Sequence, residues 1–420
     1  MKKALFSILA FILTLSLVSC GPAGTVTLTQ TETQTVTDTI TEEVTQTQTE
    51  TIFERYGQLL KSDKAYNASP NVSDDILETL VNGNNEFAFD LYKQLIATED
   101  GNLFYSPYSI SLALAMTYAG ANGQTKEQMA EVLHFLLEDE ELHAAFNKLA
   151  VELNSRNQVS QYSAGFKLNI INAIWGQQDY EFMQAFLDVL AENYDAGLRL
   201  VDYEQDPEGC RHIINEWVKE QTDGLIKELL PANSITGLTR LVLTNAIYFN
   251  AAWLFRFDKD DSYDDTFFLL DGSTIKVPMM HQEDHFGYSE GSGYQAIQLK
   301  YDTWNMSMVI ILPDKDSFEE FESSLTGEKV QNIINNIEEG HVILTMPKFD
   351  FETSFNLKEM LQAMGMTDAF SMAAADFSGI FGKTGYWLDE VYHEATITVD
   401  EDGTTAAAAT GAVMVLGVSQ

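Results

Sequence analysis

Basic residues are scarce in this chain of 420 residues. Lys and Arg together number 24, Asp and Glu 63, and the formal net charge is −39 with a pI near 4.3. Such a surface repels nucleic-acid backbones, so no nucleic-acid partner is expected, and it suits a saline medium or a basic partner. Cysteine is scarcer still: Cys20 and Cys210 are the full complement. Once Cys20 is modified as described below, Cys210 has no partner, and no intrachain disulfide is expected. The familiar catalytic spacings are also missing. The chain contains no G-x-S-x-G, no H-E-x-x-H, no glycine-rich phosphate loop followed by lysine and no C-x-x-C. Asp376-Phe377-Ser378-Gly379 sets a serine near an aspartate but offers no histidine at a readable spacing. An enzyme is therefore disfavoured.

What is present begins with a leader. Met1-Lys2-Lys3 is basic, Ala4 to Val18 is apolar, and Leu17-Val18-Ser19-Cys20 closes the segment. The apolar stretch is too short to span a bilayer and reads as a signal peptide with a lipobox-like end. The Cys20 thiol would accept a diacylglycerol before cleavage ahead of it; the plainer alternative is an ordinary signal peptide with an incidental cysteine. From Gly21 to about Ile52 the chain is Thr, Gln and Glu without a single Lys or Arg. Low complexity and missing large side chains make this a disordered tether. The expected organisation is a signal peptide over 1–19, a lipidated cysteine and tether over 20–52, and one globular domain over 53–420. The expected location is secreted, at the cell surface or on an outer membrane, with the lipid bilayer as a partner through acylated Cys20.

The domain alternates helical and strand-like stretches. Phe87, Leu91 and Leu95 after Asn84 share one helical face. Leu103 to Tyr105 reads as a short strand, followed by a turn opened by Pro107 and a buried helix. Thr125 and Gln128 read as the N-cap and capping-box residues of the next helix. Strands are read at Phe166–Trp175, Ala196–Val201 (edge-like), Thr239–Phe249, Tyr294–Leu299, Asn305–Ile310 and His341–Phe349, and helices at Glu181–Asn193, His212–Val218 and Leu357–Met364. The segment from Ala375 to Ile380 reads as a loop. Asn245 sits inside a buried strand, where it must find partners or cost roughly 1–3 kcal/mol. His281, Glu283 and His285 alternate as zinc ligands on one strand face would, but they run into a polar turn and are read as surface loop residues; His134, His143, His212 and His341 form no constellation in sequence.

The tail is the unusual part. Trp387 to Val399 alternates like a half-buried strand. Asp400-Glu401-Asp402-Gly403-Thr404-Thr405 follows, then Ala406, Ala407, Ala408, Ala409, Thr410 and Gly411. Four alanines favour helix over strand, and flanking glycines weaken both. A helix start, a loose tail or a strand in a crowded sheet all remain open from the residues alone.

The run Glu401, Gly403, Thr404, Thr405, Ala406 to Ala409, Thr410 and Gly411 resembles the reactive-centre hinge of the serpins, a family of serine protease inhibitors. Asn102, Ser106, Pro107 and Ser109, the set Asn215, Trp217, Val218, Thr222, Gly224 and Ile226, and Trp253 with Pro278-Met279-Met280 also match that family. The resemblance implies a mixed α/β (α+β) serpin fold, with a large central β-sheet, further sheets and surrounding helices. It implies a suicide-type inhibitor: a serine protease cleaves the exposed loop, stays joined as a covalent acyl complex, and the loop inserts into the large sheet. Ser106, Ser109, Asn245 and His393 would form the shutter, with Asn245 bonded toward His393, and Trp253 would stand at the breach where insertion starts. The family's loop length, counted from Gly403, puts the reactive bond at Gly417–Val418. Apolar neighbours there favour elastase- or subtilisin-like targets over trypsin-like ones. No cofactor and no metal are implied, and a monomer is expected. A non-inhibitory serpin-like binding or structural module at the cell surface is the alternative. The family continues past the reactive bond through further strands, so a chain ending at Gln420 is read first as a fragment of a longer reading frame, with the large piece of a cleaved inhibitor and a natural truncation as the alternatives.

Overall fold

The computed structural model describes residues 56–60, 62–157, 166–302 and 306–416. Cys20, the leader, the whole of the tether and the Gly417–Val418 bond lie outside the described residues. Every element below belongs to the unit Gly57–Gln420.

Helix α1 (Asp74–Thr98) carries the apolar stripe read from the sequence: Phe87, Leu91 and Leu95 are fully buried. It begins well before Asn84, because Ile76 and Leu80 extend the same face toward the core. Helix α2 (Pro107–Tyr118) is buried from Ser109 onward, which is why it shows no amphipathic period. Its first turn is set by Pro107 and by the Ser106 side chain, which accepts from the Ser109 N–H. The short strand expected ahead of it does not form. That segment is held by side chains instead: Thr353 Oγ1 donates to the Phe104 carbonyl, and the Tyr105 hydroxyl donates to the Ala88 carbonyl at 2.7 Å.

Helix α3 (Gly123–Val132) corrects the capping assignment. Its N-cap is Asn122, and Thr125 lies inside the helix. Thr125 Oγ1 accepts from the Asp376 N–H at 2.9 Å, and Gln128 Oε1 accepts from the Thr367 and Asp368 N–H groups. The spacing of a capping box is here used to fasten a distant loop. Helices α4 (Asp139–Ser155), α5 (Gln184–Tyr194) and α6 (Pro207–Gln221) follow, then the shorter α7 (Phe318–Ser323), α8 (Gly327–Asn335), α9 (Lys358–Met364) and α10 (Ser378–Phe381). The last occupies the stretch read as a loop.

The strands are β1 (Gln58–Leu60), β2 (Phe166–Gln177), β3 (Leu198–Val201), β4 (Thr239–Ala252), β5 (Tyr263–Phe268), β6 (Thr274–Gly291), β7 (Tyr294–Lys300), β8 (Ser307–Pro313), β9 (Glu338–Pro347), β10 (Phe349–Asn356), β11 (Tyr386–Val399) and β12 (Gly403–Leu416). Seven of them form one sheet in the order β1-β3-β2-β4-β12-β11-β10. β3 is therefore interior, flanked by β1 and β2, and not an edge. The other five form a second sheet in the order β5-β6-β7-β8, with β9 on the far side of β6. The strand read at His341–Phe349 is β9 as far as Pro347; the chain breaks at Lys348, and Phe349 opens β10 in the other sheet. His281, Glu283 and His285 lie within β6 and not in a loop.

One core fills the space between α1, α2 and the large sheet, around Phe87, Leu112, Leu243, Leu388 and Met414. A second joins the two sheets through Phe166, Ile247, Trp253, Met280, Phe286, Met346 and Ile397. This is the mixed α/β architecture expected.

Candidate functional site: a strand inside the large sheet

The alanine-rich run is neither a helix nor a loose tail. It is β12, inserted between β4 and β11 and antiparallel to both. Ala409 stands opposite Ala246 on one side and Glu394 on the other. Its backbone N–H and C=O groups are thus satisfied from two neighbours. Of its residues, Thr404, Ala406 to Val413, Met414 and Val415 are buried. Alternate residues face opposite sides. Thr410, Ala412 and Met414 turn toward α2 and its core, whereas Gly411, on the other face, lies under Leu229 and Leu230. Small side chains are required because both faces are covered. A Cβ at Gly403 would stand 2.1 Å from the Ala251 carbonyl oxygen, so only glycine lets β12 start this close to β4.

Two polar clusters hold the strand. The first lies at its middle and contains Ser106, Ser109, Asn245 and His393, but the residue that joins them is Thr410. The Ser106 N–H donates to His393 Nε2 at 3.1 Å, so the ring proton sits on Nδ1. Nδ1–H then donates to Thr410 Oγ1 at 2.8 Å. Ser109 Oγ donates to Asn245 Oδ1, so the 3.1 Å contact between Thr410 and Ser109 is donated by the Thr410 hydroxyl. Asn245 Nδ2 closes the chain on Asn172 Oδ1 at 3.0 Å. The bonds run in one direction across α2, β11, β12, β4 and β2, all of them buried or nearly so. Burial pushes the His393 pKa down to about 3, which keeps the ring neutral. Asn245 reaches His393 through Ser109 and Thr410, not directly as the resemblance implied. Asn172 and the linking role of Thr410 were not legible in the sequence; a polar β-branched residue amid alanines was the available signal for Thr410.

The second cluster surrounds the β11–β12 turn. Trp253 stacks on Tyr301 with ring centres 4.8 Å apart and donates from Nε1 to the Asp400 carbonyl at 2.9 Å. The Tyr301 hydroxyl donates to Thr404 Oγ1 at 2.9 Å. Glu401, buried beside them, pairs with Lys348 at 2.6 Å and accepts from Ser262 Oγ at 2.7 Å. Burial alone would raise the Glu401 pKa, but Lys348 and the Ser262 hydroxyl outweigh it and hold the carboxyl at about 2. Asp402 reaches outward to Lys259 at 2.7 Å.

A model of the serpin family, described as serine protease inhibitor, matches residues 82–420. The chain belongs to the serpin family. An uncharacterised serpin-like protein of Thermococcus kodakarensis is 39% identical over 84% of this chain and 81% of its own. The leukocyte elastase inhibitor of Xenopus laevis is 37% identical over 81% of this chain and 91% of its own. Among solved structures, cleaved Serpin 42Da shares 30% identity and a TM-score of 0.74 over 81% of this chain and 91% of its own. A loop-inserted structure of a cleaved ovalbumin mutant shares 27% identity and a TM-score of 0.74 over 80% and 92%. The serpin fold is therefore established for this chain.

Ser378 Oγ is hydrogen-bonded to the Asn122 side-chain amide at 3.0 Å in an exposed contact, and Asp376 caps the Ser378 N–H. Cys210 is buried, and burial next to Asp206 pushes its thiol up to about 12, which makes it unreactive. No described helix is long and apolar enough to cross a membrane.

Proposed function

We propose that this serpin is a suicide inhibitor of serine proteases that works by inserting its cleaved loop as β12. The observation that carries this reading is the complete seating of Gly403–Leu416 between β4 and β11. Both edges are hydrogen-bonded and both faces are covered. With β12 withdrawn, β4 and β11 would be two strand spacings apart, about 9–10 Å, and would close on each other to pair. His393 and Asn245 would then meet directly, as the family resemblance implies. In that state the Ala and Thr run is an exposed loop. The target serine attacks the carbonyl at the reactive bond, proposed as Gly417–Val418. The acyl link to the protease forms as the amine of the following residue leaves, and the loop enters the sheet before water can hydrolyse the acyl bond. Insertion buries the apolar face of Ala406, Ala408 and Ala412, and a metastable start makes this a kinetic trap.

The apolar residues Met414, Val415 and Leu416 ahead of the proposed bond suit elastase- or subtilisin-like pockets, and the name of the Xenopus relative points the same way. The test uses protein expressed from its whole reading frame and mixed with subtilisin, elastase or trypsin. A complex that survives SDS with either of the first two supports the reading. Clean turnover by every protease, with no covalent complex, sinks it in favour of a non-inhibitory module. Attachment to a membrane through Cys20 is proposed on the leader pattern. Fatty-acid labelling that persists in a C20A variant would refute it.

A further inference from the structure

The five-stranded sheet carries a polar cluster that takes no part in loop insertion. In the register of β6 with β9, His285 stands directly opposite His341 and Glu283 opposite Ile343. These side chains share one sheet face, since β6 residues 283 and 285 and β9 residues 341 and 343 keep the same parity across the pairing. Met280, Phe286 and Met346 lie on the opposite face, in the core. The two imidazoles are 5.5 Å apart between ring centres. His341 Nε2 is 3.3 Å from Glu283 Oε1, and all three side chains are more than half exposed.

These separations match a tetrahedral metal. Ligand atoms bonded to zinc at about 2.0–2.1 Å stand about 3.3 Å apart along a tetrahedral edge, and two imidazoles on one such ion hold their centres about 5 Å apart. Asp284 Oδ1 lies 3.9 Å from His285 Nδ1. As the side chains stand, no group of three or more His, Cys, Asp or Glu among the described residues could hold a metal ion. The site therefore requires the exposed His285 side chain to turn toward the Glu283–His341 pair. The net charge of −39 raises the local concentration of any cation. We propose that Glu283, His285 and His341 bind one zinc-class transition-metal ion on the outer face of this sheet.

The strand register also says which histidine is excluded. His281 is four residues from His285 along β6, about 13 Å, and cannot share its ion; it bonds Thr345 Oγ1 at 3.0 Å instead. The alternation of His281, Glu283 and His285 was therefore the wrong pattern, and the second imidazole comes from across the sheet.

The experiment is a competition titration of the chelator-stripped, full-length protein with ZnCl₂ and a zinc indicator. One equivalent should bind, and H285A and H341A should each weaken it at least tenfold. H281A and the distant H212A should leave it unchanged, and excess Ca²⁺ or Mg²⁺ should not compete, because nitrogen ligands select against both. Metal-free melting curves of the variants should overlay the parent, and H341N replaces H341A if they do not. The proposal is overturned if no equivalent binds, if the H285A/H341A double variant binds as the parent does, or if H281A loses as much affinity as H341A.

Discussion

β12 and β9 are strands of the same chain with opposite surroundings. β12 is buried along nearly its whole length on both faces, while β9 alternates between exposed and half-buried positions over most of its residues. Their sequences differ accordingly. Glu338-Glu339-Gly340-His341-Val342-Ile343-Leu344-Thr345 mixes charge and bulk, because one face meets water. Thr404 to Val413 holds nothing larger than valine, because it must fit between two covering layers. Local propensity does not predict the second kind of strand; tertiary burial imposes it. The same residues that look like a weak helix are the ones a crowded sheet can admit.

The largest expected effect comes from placing a charge on β12. Thr404 is buried and bonded to Tyr301 beside the Trp253 ring. A T404R change would bury an unpaired guanidinium at the point where insertion starts. Insertion should slow, so that the protease is released by hydrolysis first. The inhibitor consumed per protease inactivated should rise on the order of tenfold or more, with cleavage at the same bond. An unchanged stoichiometry would show that insertion does not begin here.

Next in size is the middle of the strand. T410V keeps the shape but removes the hydroxyl that accepts from His393 and donates to Ser109. Two buried groups lose a partner, at roughly 1–3 kcal/mol each. Denaturant melts of the cleaved, inserted form should fall by an amount in this range. The uninserted form should hardly change, because Thr410 then lies in the loop. Equal losses in both forms would place Thr410 in the sheet before cleavage.

A smaller effect is tied to pH. Glu394 on β11 faces Ala409, and burial, with Glu352 and Glu228 nearby, raises its pKa to about 7; Lys227 opposes this weakly. A carboxyl raised on folding costs nothing below its ordinary range, where it is protonated in both states. The cost grows as pH rises from about 4.5 and is complete above 7. The E394Q variant should therefore melt higher than the parent at pH 8, on the order of 3 °C, and equally at pH 4. A difference that persists at pH 4 would assign the gain to packing.

Most of the frame was legible because most strands are half-buried and most helices amphipathic. β2, β4, β7, β8 and α6 follow their periodicities to within a few residues at one end or the other, whereas α1 begins well before the run read for it. The misreadings share a cause. Thr125 and Gln128 have capping spacing but bond a loop some 240 residues later. Thr410, read as part of the hinge, also bonds Ser109 from 301 positions away. Short-range pattern carries no information about such partners, and for Ser106, Ser109, Asn245 and His393 the link came from family resemblance, not from their spacing.

The smallest expected effect is the control for the first. Ile343 on β9 is 64% exposed and stands opposite Glu283. An I343R change introduces the same side chain as T404R, but into solvent and beside a carboxylate. Exposed substitutions of this kind shift stability by about 0.5 kcal/mol or less, and an added cation on so acidic a surface can only relieve repulsion. Inhibitory stoichiometry should stay at the parent value, and the melting temperature should hold or rise slightly. The pair of variants separates two explanations that T404R alone leaves together. If burial is what matters, the two arginines behave oppositely. If I343R also turns the inhibitor into a substrate, then the added charge acts through the field of the whole molecule, and the covered faces of β12 are not the reason its residues are small.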